Sequence, residues 1–535
     1  MADARVRVLV ASLLASAWVF ACVGDDPSVG GNGGGGDAST VGPEGGGPED
    51  AGPSAPPASA PASLRFHNQD VRDGFVEGRV KLAKAANESD IAEYVLYWGT
   101  SATAKAPGEP LAVYPRGTSE HVFTFPAETR APLGATHVLA FSRNARGESQ
   151  GAVAAVLANK PQYIDPTASL KIDAGSSFDA ENPRALVDVQ RQKLLIVSTI
   201  EGMGSGDFYM GTFACDLDAT GCVFNFACTT DSCGMSPRAA IDATSGKLVL
   251  AARDAVEENR LVAYSCGRDG TACMKSLAPG AGQPAGSGEE PWPFFDAATK
   301  ELVVFTSTNE SGGRNGHLLA TRCDASLKSC ASPVDVTGSL ATRTALEPAA
   351  VQLPNGKFAI ATASITAGAS GPHLALYLTD GTAANTTRGL PTTTPGTGRT
   401  PAIALDPKNE RIVIVTQDET KGSRLLLTRC RYDGAGCSSV EIGASSPAES
   451  GHAPSVVVDT ENEKILVVSH DQSNAGKPLL TRCNLDGSAC RTIDFSAGQG
   501  NDSGEQPSLA IDPINGYLIA VTRAGGRPAV IRWGI

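Results

Sequence analysis

An all-β architecture, most of it written as a repeat, is predicted by three observations. Glycine (59) and proline (34) are plentiful among the 535 residues while aromatics make up only 5%, the composition of strands and turns. No long stretch carries the 3.6-residue apolar period of a helix. One clause recurs between cysteines: CGRDGTAC at Cys266–Cys273, CRYDGAGC at Cys430–Cys437 and CNLDGSAC at Cys483–Cys490. The length exceeds one ordinary core, so two or more domains are expected. The net charge of −13 offers no basic footprint, and no nucleic-acid partner is expected.

In order along the chain, residues 1–22 read MADARVRVLVASLLASAWVFAC. Arg5 and Arg7 precede an apolar run, Val8–Phe20, that is short for a membrane span and fits an export signal. The ending VFAC, with Val19, Ala21 and Cys22, resembles the lipobox of bacterial lipoproteins. The resemblance implies that Cys22 is lipidated and becomes the first residue of a mature chain anchored at the bacterial outer membrane or cell surface. Each buried methylene of such an anchor adds about 0.8 kcal/mol. Residues 23–62 are Gly, Pro, Ser, Ala and acid, too poor in apolar surface to fold. As a flexible tether they span roughly 35 Å root-mean-square.

Residues 63–160 alternate with period two, the pattern of half-buried strands. Strands are expected at Phe75–Leu82, Ile91–Tyr97, Val122–Phe125, His137–Arg143 and Ala152–Leu157, a spacing that fits a β-sandwich. The stretch ATHVLAFSRNARGES (Ala135–Ser149) resembles the F strand and FG turn of fibronectin type III domains. This implies a spacer or binding module without catalytic residues, with Trp98 of YVLYWG serving the core.

Residues 161–535 repeat. Well-matched copies begin TPAIALDPKNERIVIVTQDE at Thr400, APSVVVDTENEKILVVSHDQ at Ala453 and QPSLAIDPINGYLIAVTRAG at Gln506. The marker prolines Pro183, Pro237, Pro291, Pro348, Pro401, Pro454 and Pro507 are 53 to 57 residues apart. A period near fifty with strand patterning predicts a seven-bladed β-propeller of four-stranded blades. The last copy ends after its third strand. SLKIDAGSSFDAENP (Ser169–Pro183) aligns with TIDFSAGQGNDSGEQP (Thr492–Pro507), so strand 170–173 is expected to complete the last blade and remove an exposed sheet edge.

The Asp-Gly pair inside each cysteine clause signals a hairpin, read as a two-residue type I′ turn that sets the cysteines opposite each other. Disulfides are expected at Cys215–Cys222, Cys266–Cys273, Cys323–Cys330, Cys430–Cys437 and Cys483–Cys490, with Cys228–Cys233 as a sixth. The fourth repeat loses both cysteines together, to Tyr377 and Ala384; the seventh has Trp533, paired in this alignment with Thr167. Twelve cysteines besides Cys22 suit an oxidising compartment. Zinc would favour closer cysteines with histidine partners, and neither metal nor cofactor is expected. An Asp follows each marker proline by five residues (Asp188, Asp242, Asp296, Asp406, Asp459, Asp512; Leu353 in the fourth repeat) and is read as a turn cap.

Function is expected where longer loops meet the axial channel. Two residues before the prolines stand Glu181, Met235, Glu289, Leu346, Arg399, His452 and Glu505; just inside come Asn182, Glu290, Glu347 and Gln506; after the prolines come Arg184, Arg238 and Trp292. The ligand-binding candidates are Glu181, Arg184, Arg238, Glu289, Glu290, Arg399, His452 and Glu505. One reading is a monomeric, surface-displayed binding or scaffold module for a glycan, peptide or protein. The other is a cell-envelope glycosidase or lyase, with Glu289 and Glu290 as acid and base and Arg184, Arg238 and Arg399 holding a carboxylated sugar. No nucleophile elbow, zinc-protease, phosphate-loop or dinucleotide motif is present, and no catalytic residue is assigned.

Overall fold

The computed structural model describes residues 53–70, 72–168, 179–201, 208–228, 233–242, 245–296, 298–308, 316–337, 343–365, 371–392, 394–444 and 446–535. The export signal, Cys22 and the expected closing strand 170–173 lie outside the described residues. Within them every extended element is a strand and the helical elements are single 3₁₀ turns. No helix among the described residues is long and apolar enough to cross a membrane.

The first sheets of the described residues form a two-sheet sandwich. One sheet holds Ser63–Phe66, Phe75–Ala83 and Glu120–Arg130; the other holds Ala112–Pro115, Glu93–Gly99, His137–Asn144 and Gly147–Glu148, with Val153–Val156 also on His137–Asn144. Alternation sends Val80 and Leu82 of one sheet and Tyr94, Leu96, Val138 and Ala140 of the other into a shared core. Trp98 packs on that core, stacked on Phe125 with ring centroids 4.9 Å apart. The chain meets this surface before residue 63. The Ala58 N–H donates to Asp90, while Asn144 and Arg146 donate to the carbonyls of Ala55 and Pro53.

Beyond it stand four-stranded antiparallel sheets in a propeller arrangement, seven among the described residues. Their inner strands are Asp179–Asp188, Met235–Ile241, Glu289–Asp296, Arg343–Gln352, Arg399–Asp406, His452–Asp459 and Glu505–Asp512. Each packs beside the next, and Asp179–Asp188 packs beside Glu505–Asp512. The second strands are apolar on both faces because each sheet is covered by neighbours. Leu248–Ala252, Leu302–Phe305, Ile412–Val415 and Ile465–Val468 are buried without a break. Full burial of one such Leu, Ile or Val contributes about 1.5–3 kcal/mol.

Among the described residues the last sheet is completed by Gln162–Ile164. Gln162 lies opposite Arg532, Tyr163 opposite Ile531 and Ile164 opposite Val530. The chain carries two Ile-Asp pairs here, Ile164-Asp165 and Ile172-Asp173. The first is the true counterpart of Ile493-Asp494. Asp165 accepts the Thr167 N–H at 2.8 Å, as Asp494 accepts the Ser496 N–H at 2.8 Å. Thr167 therefore matches Ser496 and not a cysteine.

All six expected disulfides are formed. The hairpin chemistry differs from expectation. Gly487 N–H donates to Asn484 O and Asn484 N–H to Ser488 O, each at 2.9 Å, so Leu485 and Asp486 are the turn centre. Only Gly487 of the Asp-Gly pair is left-handed, at φ +82°, which makes this a type I turn with a glycine bulge. Asp486 accepts the Ser488 N–H at 2.8 Å. A second left-handed residue, Ala489, brings Cys490 back to Cys483 with a Cα separation of 4.1 Å. The post-proline aspartates cap turns as expected: Asp459 and Asp512 accept the N–H of Glu461 and Ile514, each at 3.0 Å, and the amides of Asn462 and Asn515.

The sandwich docks on these Asp turns and the hairpin side of the last two sheets. Arg482, buried, donates to Gln69 O at 3.1 Å, to the Gln69 side chain, and to Glu77 at 2.8 and 3.3 Å. Arg491 pairs with Asp70 at 3.3 Å and with Glu128. Arg65 reaches Ile514 O at 2.9 Å, and His67 Nε2 donates to Asn515 O at 3.0 Å.

Candidate functional site

The axial channel is built by one irregularity repeated in each inner strand. The ladder slips at the residue before the marker proline. That residue is left-handed in every sheet: Asn182 (φ +51°), Ser236 (+49°), Glu290 (+46°), Glu347 (+50°), Thr400 (+42°), Ala453 (+43°) and Gln506 (+50°). A non-glycine residue costs on the order of 1–3 kcal/mol in such a sparsely populated conformation, so neighbouring structure must hold it. Part of that support runs between sheets. The Asn182 N–H donates to Gln506 Oε1 at 2.6 Å, and the Thr400 N–H to Glu347 Oε2 at 2.7 Å. Ser508 and Ser455 accept the N–H groups of Ala185 and Leu509, each at 3.0 Å. Each bulge re-aims the residues around the proline, and together they line a cavity of about 480 Å³.

Arg184, Arg238, Glu290 and Trp292 meet on one wall of that cavity, contributed by the first three sheets. Arg238 lies over the Trp292 ring, 3.7 Å from its centroid, and 3.7 Å from Glu290. Trp292 is fixed by donating its indole N–H to Pro348 O at 2.6 Å. Arg184 makes no hydrogen bond or close ion pair among the described residues. Burial pushes both guanidinium groups below the usual arginine range. Glu290 opposes that effect for each, and Arg184 adds to it for Arg238. Arginine stays protonated in proteins, so the lowering marks two cations held where their charge is poorly solvated.

The expected residues at the mouth do not line the cavity. Glu289 is bound by Arg253, Arg399 by Glu419 at 2.5 Å, His452 by Glu449 at 2.7 Å, and Glu505 by Arg523 at 2.6 Å. Arg523 also holds Asp179 at 2.9 Å. Burial, with Asp179, Glu201 and Glu505 nearby, raises the Glu181 carboxyl against the pull of Arg523. Glu289 and Glu290 are neighbours in sequence, yet the bulge sends only Glu290 into the cavity. Thr400, Ser455 and Ser508, not singled out from sequence, also line it. Their places, immediately before or after a marker proline, were the signal that could have found them. Among the described residues no group of three or more His, Cys, Asp or Glu is placed to hold a metal ion.

No family model and no curated protein matches the chain. Solved structures do. The α-L-arabinofuranosidase Arb93A from Fusarium graminearum, in complex with an iminosugar inhibitor, is 14% identical over 63% of this chain and 98% of that one, with a TM-score of 0.41. The polysaccharide lyase Uly1 is 10% identical over 70% and 97%, with a TM-score of 0.46. The β-propeller domain of the Trilobed protease from Pyrococcus furiosus is 10% identical over 67% and 94%, with a TM-score of 0.40. By its own sheet order and packing the chain is a disulfide-bonded, all-β propeller protein with an arginine-bearing axial cavity, and its six bridges suit an oxidising compartment. At 10–14% identity the neighbours' chemistry stays their own.

Proposed function

We propose that this is an exported lipoprotein, anchored through Cys22, in which a fibronectin type III-like sandwich (63–160) carries a seven-bladed propeller (161–535). The propeller acts as a monomeric binding module that captures a glycan, peptide or protein ligand at its axial cavity. The observation that carries this reading is Arg184, a half-buried cation facing a roomy cavity with no partner of its own among the described residues. Pockets of about 300–1,000 Å³ with a few placed polar groups are the usual form of a ligand site. Of the glycosidase or lyase alternative, the glycosidase form draws less support. It needs two carboxylates acting on one bond, whereas Glu289 is held by Arg253 outside the cavity and Glu290 faces Arg238 inside it.

A thermal-shift panel of polysaccharides, peptidoglycan fragments, peptides and acidic sugars on the full chain tests the proposal. A ligand that binds only the folded state raises Tm by mass action. The expected result is a shift that Arg184→Gln and Arg238→Gln remove. A shift that survives both substitutions moves the site off the channel.

A further inference from the structure

We infer that the channel recognises a sugar acid: a pyranose unit bearing one carboxylate, at the end of a glycan or free. The inference rests on the channel being the binding site. Three features of the wall select this chemistry.

The first is charge. Of the two clustered arginines, Arg238 is committed to Glu290 and to the Trp292 face. Arg184 makes no hydrogen bond or close ion pair among the described residues and only shares the nearby Glu290 with Arg238, so its guanidinium fork is open to an anion from outside. A single carboxylate fits that fork with two parallel hydrogen bonds. The nearby carboxylates of Glu290 and Glu347 disfavour a dianion such as a phosphate monoester.

The second is a set of unused hydroxyl and amide groups. Thr400 lines the cavity, and its buried hydroxyl has no partner among the described residues. The Asn182 side-chain amide makes no hydrogen bond among the described residues. Ser455 and Ser508 accept a neighbouring N–H and keep their own O–H to donate. A buried polar group without a partner is destabilising; a polyhydroxylated ligand relieves that cost where a bare acetate ion does not.

The third is size and shape. About 480 Å³ admits one or two sugar rings, and the Ala, Pro and Val positions between the polar groups offer apolar surface to the C–H face of a ring.

The test is calorimetric titration of the full chain with galacturonate, glucuronate and their short oligomers. Galactose, glucose, the uronate methyl esters and acetate serve as comparators. The acids should bind about tenfold to a hundredfold more tightly than their neutral parents and esters, the range set by one charge-assisted hydrogen-bond pair. Arg184→Gln should abolish that preference, Arg184→Lys should restore part of it, and Thr400→Val should weaken acid and ester alike. Equal affinity for acid and ester, or a preference that survives Arg184→Gln, overturns the inference. Should Arg184→Gln fail to fold, the ester comparison and Arg184→Lys still decide. A peptide or neutral glycan that binds in an Arg238-dependent manner, with no response to sugar acids, overturns this inference and leaves channel binding standing. Silence from every ligand of both panels overturns both.

Discussion

Two arginine clusters in this propeller face opposite fates. At the junction with the sandwich, Arg482 is buried and its donors are matched by Gln69 and Glu77. In the channel, Arg184 is half-buried, makes no hydrogen bond or close ion pair among the described residues, and shares the nearby Glu290 with Arg238. Both are cations withdrawn from water. The difference shows how the chain uses charge. A buried cation that meets its counter-charge within the chain serves the architecture, and one left open is available to a ligand from outside.

That comparison can be broken most severely at the junction. Arg482→Met leaves buried Glu77 with Lys464, 3.7 Å away, as its remaining cation, so the loss should approach the range of about 3–5 kcal/mol for a broken buried pair without reaching its upper end. Urea unfolding of the variant reads this directly, and the Arg482→Met/Glu77→Gln pair should recover much of the loss. A loss below about 1 kcal/mol would rank the junction with ordinary surface ion pairs. Next in size is the hairpin beneath the junction. Replacing Cys483 and Cys490 together by Ser opens a loop of eight residues and should lower stability by about 2.5 kcal/mol in the chain-entropy account. An unchanged denaturation midpoint would show that the hairpin bonds alone hold the turn.

In the channel the sign reverses. Arg184→Met should stabilise the ligand-free protein by about 1 kcal/mol, because it removes a poorly solvated charge that no contact repays. A clear loss of stability would show that Arg184 belongs to the architecture, and the contrast with Arg482 would fall.

The smallest effect is pH dependence at the junction. Burial, with Arg65 and Arg532 nearby, holds His67 below its usual 6.5, while the bond to Asn515 O pulls the other way. The folded ring stays neutral in a range where the unfolded ring takes a proton. Stability from this group is therefore full above pH 6.5 and falls as pH drops through and below that value. Melting curves from pH 8 to 5 should show this decline, and His67→Asn should flatten part of it. An identical slope in the variant would assign the decline to the other histidines lowered by burial, His121, His373 and His470.

Much of the scaffold was legible because it repeats. Pro401, Pro454 and Pro507 mark inner strands, and each cysteine clause gives a bonded hairpin. The turn type was misread because an Asp-Gly pair serves two hairpins: the same glycine fits a type I′ turn or the bulge after a type I turn. Of the candidate site, Arg184, Arg238 and Glu290 were picked and do converge. Glu289, Arg399, His452 and Glu505 were picked on the same grounds and are tied to neighbours instead. Their partners Arg253 and Arg523 sit on adjacent strands, whereas Glu419 and Glu449 come from loops, so no single sequence spacing announces the pairing.

The sequence alone determined what depends on local chemistry and on counting. Period-two alternation sets the strands, a fifty-residue repeat sets the sheets, the paired replacement of two cysteines by Tyr377 and Ala384 marks direct bonding between cysteines, and an Asp before a turn supplies its cap. Tertiary structure decided the matters that join residues far apart. It placed Gln162–Ile164 beside Arg527–Gly534, some 370 residues further along the chain, to complete the last sheet among the described residues. It seated Arg482 on Glu77, 405 residues away, and left Arg184 without an equivalent. Identical side chains have the same intrinsic chemistry; what surrounds each one on folding settles whether its charge is spent on the fold or kept for a ligand.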